Sequence, residues 1–308
     1  PEPYRVIPER ELEAATGNAS LEWSRDLDFL GTPVSVPLPV RAWLRGKRRL
    51  RQGRDTFLAG IPTATQGSTS PIVVYGTRSG MFLRLGSACV VATDVSDALN
   101  RLVLWCFYLA YGTEDFLGTF HAAAIGKPGG VILMPGFSGV GKSTLTAYLA
   151  ARGWLYGGDD IIGLSRPAGG DRRYVVLPFC SSISVKEGAV AILKDGYPGL
   201  ADLPEVSYDT KRARFPAVPH CRHMGPNLGP RRISAIVFPR FDANARTCLT
   251  PLSTRETLLA LAGIGYRTGE RMDETLLAGM FDFLDGTPAY RLAFADISQA
   301  EAVLEQLA

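Results

Sequence analysis

An α/β protein in two parts is what the sequence predicts, and three observations predict it. The 308 residues are 46% hydrophobic and 20% charged, the balance of a folded chain long enough for one large core or two smaller ones. Between residues 90 and 115 the apolar period lengthens from two to between three and four, which marks a boundary after a small sheet-rich segment. Beyond it, a strand, a glycine-rich loop, a helix and a second strand follow one another from Val131 to Tyr156. The expected division is a small α+β domain over residues 1–110 and an α/β domain over 111–308.

The elements follow in order from local pattern. A Pro-rich stretch, Gly31 to Val40, and a loop-like stretch, Ala59 to Ser70, read as joints. Between Pro71 and Val91 the runs IVVYG, MFLRLG and CVVA are short, β-branched and separated by Gly or Ser, as in a small sheet. From Asp94 to Tyr111 the residues Leu99, Leu102, Val103, Cys106, Leu109 and Ala110 recur at helical spacing, so a buried helix is expected. Val131 to Met134 is a buried strand, Lys142 to Arg152 a helix closed by Gly153, and Leu155 to Tyr156 the start of a strand ending in two acids. Ile161 to Leu164 and Tyr174 to Leu177 flank a turn and read as a hairpin. Ile233 to Phe238 is a further strand, halted by Pro239. Ser253 with Glu256, and Ser298 with Glu301, carry the capping-box pattern and open two helices, the second ending near Leu307. The stretch from Tyr197 to Pro230, rich in proline and glycine, reads as a long irregular excursion.

Composition excludes several classes of protein. The most apolar run, Leu102 to Ala110, is nine residues, about half of the roughly 20 that cross a bilayer, so no membrane partner is expected. The first thirty residues lack an apolar secretory core, and five scattered cysteines with no C-x-x-C suit reduced thiols, so the chain reads as cytoplasmic. Thirty-three basic against thirty acidic residues leave a net charge of +3, which argues for no nucleic-acid partner. Seven Lys and Arg between Arg41 and Arg54, with no acid among them, form a local patch: a solvated face, a docking surface for an acidic group, or a nucleic-acid contact.

One segment carries most of the chemistry. Gly136, Phe137, Ser138, Gly139, Val140, Gly141, Lys142 and Ser143 satisfy G-x-x-x-x-G-K-[ST], and Thr144 follows in the first helical turn. Glycines at these positions let consecutive N–H groups converge on phosphate oxygens, aided by the positive end of the following helix. Lys142 supplies charge toward the outer phosphates and the Ser143 hydroxyl a ligand for Mg²⁺, so ATP with Mg²⁺ is the expected nucleotide and metal. Asp159 and Asp160 fall sixteen and seventeen residues after Ser143, at a strand end. Two adjacent acids allow one to hold the metal and the other to take a proton from a hydroxyl; the alternative is a solvated turn. His121, beside small apolar residues, is by itself readable as a core histidine. Lys211, Arg212, Arg214 and Arg222 are candidates to clamp a phosphoryl group or to be solvated, and His220-Cys221-Arg222-His223 is a poor zinc pattern.

His121, the loop from Gly136 to Ser143 and Gly157-Gly158-Asp159-Asp160 together resemble the HPr kinase/phosphorylase catalytic domain. The likeness is greater to HPr-kinase-like proteins found beside natural-product and export systems, including kinases of lasso-peptide precursors. Weaker likeness runs through Ser182 to Glu187, Tyr208 to Lys211 and Phe238 to Phe241. The resemblance implies Lys142 at the phosphates, Ser143 and Asp159 at the metal, Asp160 as general base and His121 as an auxiliary active-site histidine. It also implies a P-loop in a mixed, largely antiparallel sheet of the phosphoenolpyruvate carboxykinase-like type, and a homo-oligomer. The sequence departs from the family at its Arg-Gly segment and its metal-binding Glu, for which only Glu187 stands at the corresponding distance; HPr itself and the reverse reaction are therefore not carried over. The resulting expectation is an ATP-dependent kinase acting on a serine-like hydroxyl of a peptide, protein or small molecule. The alternative is a non-catalytic nucleotide-binding regulatory module, in which ATP orders residues 197–230 and a partner docks on the basic patch.

Overall fold

The computed structural model describes residues 23–29, 32–37, 72–77, 80–85, 88–92, 107, 111, 116–166, 174–180, 183–203, 205–208, 211–216, 218, 223–224, 232–264 and 274–308. The chain divides into two compact units, one built mainly on residues up to Gly112, the other on Thr113–Glu205 and Arg212–Ala308. In the first, strands β1 (Trp23–Phe29), β2 (Thr32–Pro37), β3 (Ile72–Thr77), β4 (Gly80–Leu85) and β5 (Ala88–Ala92) form one sheet in chain order. The pairing is antiparallel except between β2 and β3. The stretch read as a Pro-rich joint therefore contains a strand, with Pro33 and Pro37 near its ends, where a missing N–H is tolerated. Phe107 and Tyr111 are helical, and the rest of the helix expected over 94–111 lies outside the described residues, as does the Arg41–Arg54 patch.

The second unit is a mixed α/β structure around a six-stranded sheet. Its strands are β7 (Ala122–Lys127), β8 (Gly130–Pro135), β9 (Leu155–Gly158), β14 (Ile233–Phe241), β15 (Cys248–Leu252) and β16 (Ala289–Phe294), in the order β15-β16-β14-β8-β7-β9. The β15·β16, β7·β8 and β7·β9 pairs are antiparallel, and β14 runs parallel to both β16 and β8. A smaller antiparallel sheet joins β6 (Phe116–Phe120), β10 (Ile162–Ser165) and β11 (Val175–Leu177) in the order β11-β10-β6. The β10 and β11 strands pair as the expected hairpin, and the turn between them lies outside the described residues.

Both faces of the large sheet are covered, and the sequence shows why. In β7 and β8 almost every residue is apolar, as in strands buried on two sides. Alternate side chains then sort to opposite faces: Ala123, Ile125, Ile132 and Met134 join one core cluster, Ala122, Ala124, Val131 and Leu133 the other. The first face is covered by helices α1 (Lys142–Ala151), α2 (Glu187–Leu193) and α5 (Ile297–Leu304), the second by the small sheet and helices α3 (Thr254–Ile264) and α4 (Glu274–Asp285). None of the helices among the described residues is long and apolar enough to cross a membrane.

Three local expectations are corrected. The strand from Ile233 runs through Pro239 to Phe241 instead of stopping, because its pairing with β8 ends at Ile236 and one edge beyond that point has no ladder to break. The last helix is capped by Asp296, not by a Ser298–Glu301 box: the Asp296 carboxylate accepts from the backbone N–H of Ser298 (2.8 Å) and Gln299 (3.3 Å). The excursion from Tyr197 holds a 3₁₀ turn (Leu200–Asp202) and the short strands β12 (Val206–Tyr208) and β13 (Lys211–Ala213). At Ser253 the capping box forms as expected, with Ser253 N–H donating to Glu256 (2.9 Å) and Glu256 N–H to the Ser253 hydroxyl (3.3 Å).

Candidate active site

The site begins where β8 runs out. Gly136 N–H donates to the carbonyl of His121 (3.4 Å), and the chain turns through Gly139 and Gly141, at φ 98° and 95°, into α1. Those left-handed angles favour glycine, and at Gly141 space does too, since a Cβ would meet Phe241 Cβ at 3.0 Å and Phe294 Cζ at 3.3 Å. Phe241 N–H donates to Val140 O (2.9 Å), which fastens the loop to the end of β14. Phe137, Ser138 and Gly139 are exposed at the apex, Val140 and Gly141 half-buried. Gly141 caps α1 without a side-chain hydrogen bond and the first turn holds no acid, so the amides at the helix start are open to an external anion.

Lys142 opens α1 and is only 5% exposed. Its ammonium donates to the Asp159 backbone carbonyl and to Asp159 Oδ1 (3.1 Å). Asp159 stands just past β9 and is equally buried. Burial pushes its carboxyl above the ordinary aspartate range; Lys142 and a hydrogen bond with the Ser143 hydroxyl oppose the rise, and the neighbouring Asp160 adds to it. The two glycines before it are set by packing: a Cβ on Gly158, at φ 141°, would meet Phe179 O at 2.7 Å, and one on Gly157 would meet Met224 Sδ at 2.9 Å. The buried Lys142 and Asp159 and the half-buried Ser143, read from local motifs, thus meet in one cluster. Thr144 is a half-buried first-turn residue beside them.

Asp160 turns the other way, to solvent and to His121. Its Oδ1 lies 3.1 Å from His121 Nε2, with the side chains 71% and 36% exposed respectively. His121 is the one residue between β6 and β7, where the chain passes from the small sheet to the large one. It is therefore no core histidine: its ring meets the second acid while its carbonyl holds the start of the loop. A carboxylate fixed by imidazole and open to solvent is a group able to take a proton from an entering hydroxyl.

Other candidates are not brought here. The Glu187 carboxylate forms an ion pair with Arg214, not with the Asp159 cluster. Arg212 and Arg214 face Glu205 at 3.6 and 3.8 Å, so the two clamp candidates whose side chains are described both have acidic neighbours. The Lys211 side chain, Arg222 and the His220-Cys221 pair lie outside the described residues, and His223 Nε2 is 3.0 Å from Val218 O within the core. Among the described residues no group of three or more His, Cys, Asp or Glu could hold a metal. A carboxylate and a hydroxyl, as at Asp159 and Ser143, nevertheless fit Mg²⁺, which takes one or two protein oxygens and completes its shell with waters and phosphates. Lys186 was not anticipated: its Nζ donates to Ser138 Oγ at 3.3 Å, a contact across 48 residues that no local motif announces.

No family model matches the chain, and no curated protein matches it. Among solved structures, the Hpr(Ser) kinase/phosphatase from Coxiella burnetii is similar over 61% of this chain and 92% of its own, at 14% identity and a TM-score of 0.29, a distant resemblance at the level of fold.

Proposed function

We propose that the chain transfers the terminal phosphoryl group of ATP, with Mg²⁺, to a hydroxyl of a peptide, protein or small molecule. The observation that carries this reading is the pairing of Asp160 with His121, one residue from the cluster of Lys142, Asp159 and Ser143. The loop amides and the start of α1 hold the phosphates, and Lys142 gives charge to the outer ones. Asp159 and Ser143 are the residues to hold the metal, which when bound neutralises charge on the phosphate oxygens. His121 fixes the direction of the Asp160 carboxylate. As the acceptor oxygen bonds to the terminal phosphorus and the bond from that phosphorus to the leaving ADP breaks, the hydroxyl proton passes to Asp160. Positioning and electrostatics supply most of the rate in such chemistry.

The test is transfer from γ-labelled ATP to a library of serine-containing peptides and simple alcohols. Asp160→Asn is expected to keep ATP affinity while transfer falls about a hundredfold. Undiminished transfer in that variant removes Asp160 from the role of base.

A further inference from the structure

Lys186 is the last extended residue before α2, at φ −80° and ψ 160°. The residues on either side of it are tied down. Val185 exchanges two backbone hydrogen bonds with Arg214, at 2.8 and 2.7 Å, and the Glu187 carboxylate pairs with the Arg214 guanidinium. From that anchored stem the ammonium reaches Ser138 Oγ at the apex of the phosphate loop. Arg212 and Arg214 have carboxylates within 4 Å; among the described residues none pairs with Lys186. At 3.3 Å and exposed to solvent, a hydrogen bond from the ammonium to an uncharged hydroxyl returns little beyond the entropy lost in ordering the long lysine side chain, so the contact with Ser138 is a weak resting place for the charge.

The location indicates what the charge is for. Gly136 N–H bonds the carbonyl of His121, so the loop starts beside the His121–Asp160 pair, which on the kinase reading is the side at which an acceptor would meet the nucleotide. Ser138 is two residues further on. Lys142, by contrast, is buried and already engaged with Asp159. We propose that Lys186 is a second phosphate-binding lysine, whose ammonium leaves the Ser138 hydroxyl for the terminal phosphoryl group of the bound nucleoside triphosphate. This rests on the kinase reading above and adds a catalytic residue to it. A cation on that group holds it in line and offsets charge as it moves, while the anchored stem keeps the approach direction fixed.

The experiment is titration of the whole chain with ATP and with ADP, each with Mg²⁺. Lys186→Met is expected to weaken ATP by about tenfold, the worth of one charge-assisted hydrogen bond, with ADP within about twofold of the parent. Lys186→Gln, which can still hydrogen-bond Ser138 but carries no charge, is expected to show the same ATP-specific loss, and Lys186→Arg to recover most of it; unchanged melting temperatures exclude a folding defect. Equal weakening of ATP and ADP, or none in either neutral variant, overturns the proposal and leaves the kinase reading standing. Failure of the parent chain to bind ATP at all overturns both.

Discussion

At the start of α1 a lysine and an aspartate are buried together, 5% and 6% exposed; at its end Arg152, 57% exposed, meets Glu301, 10% exposed. The second pair suits its place on the helix. Arg152 is the C-cap residue, so its charge complements the negative end of the helix, and Glu301 also accepts from the indole N–H of the buried Trp154 (3.2 Å). The first pair does not suit its place. Lys142 puts positive charge at the positive end of the same helix, in a place without solvent, against a carboxyl that burial pushes toward its neutral form. One end of α1 is arranged for stability; the other has an arrangement that the proposed binding of a negatively charged ligand would explain.

The largest test of that contrast is Lys142→Met, which is expected to lower ATP affinity by about a hundredfold or more, since two or more charge-assisted contacts are lost. Adding Asp159→Leu removes the stranded acid, and the doubly substituted chain is expected to melt no lower than the parent, because apolar replacement of a buried ion pair is neutral or stabilising by about 1–4 kcal/mol. A large fall in its melting temperature, followed by circular dichroism, would mean that the pair is structural after all. At the other end, Glu301→Leu leaves the Trp154 indole N–H without its partner at a cost of about 1–3 kcal/mol. Its melting temperature should drop by about 2–4 °C for each kcal/mol, while ATP affinity, measured by titration, stays as it was.

The smallest effect concerns the cap of α5, which packs on the same end. The Ser298 hydroxyl first, then the Ser298 and Gln299 amides, hold the Asp296 carboxyl below its usual range. Its ionised form therefore favours the folded chain above the ordinary aspartate value of about 3.9, and that contribution is lost as pH falls through the lowered value. Asp296→Ala is expected to melt about 2 °C lower at neutral pH. The difference should close as the pH is taken beneath the ordinary aspartate range, which paired melting curves will show.

Patterns within one turn or strand were legible. The runs read as strands at Val131, Leu155, Ile161, Tyr174 and Ile233 and the helix from Lys142 all form, whereas β6, β7, β15, β16, α2 and α4 carried no signal that was read, and the Ser253 capping box forms between the residues that spell it. Where two local signals competed, the sequence misled. Ser298 and Glu301 have capping-box spacing, yet Asp296 offers a better-placed acceptor and Glu301 is drawn to Trp154 and Arg152. Pro239 looked like a strand end because the sequence does not say that β8 stops pairing three residues before it.

The chain order by itself determined the loop from Gly136 to Ser143, the start of α1 and the placement of Asp159 and Asp160 at a strand end, because backbone angles and strand–turn geometry act between near neighbours. Only the tertiary structure decided which acid meets Lys142 and which meets His121, that Glu187 pairs with Arg214, and that Lys186 reaches Ser138. Those contacts follow from the order β14-β8-β7-β9 and from an isolated bridge between Val185 and Arg214, pairings between distant segments whose partners no periodicity in the sequence records.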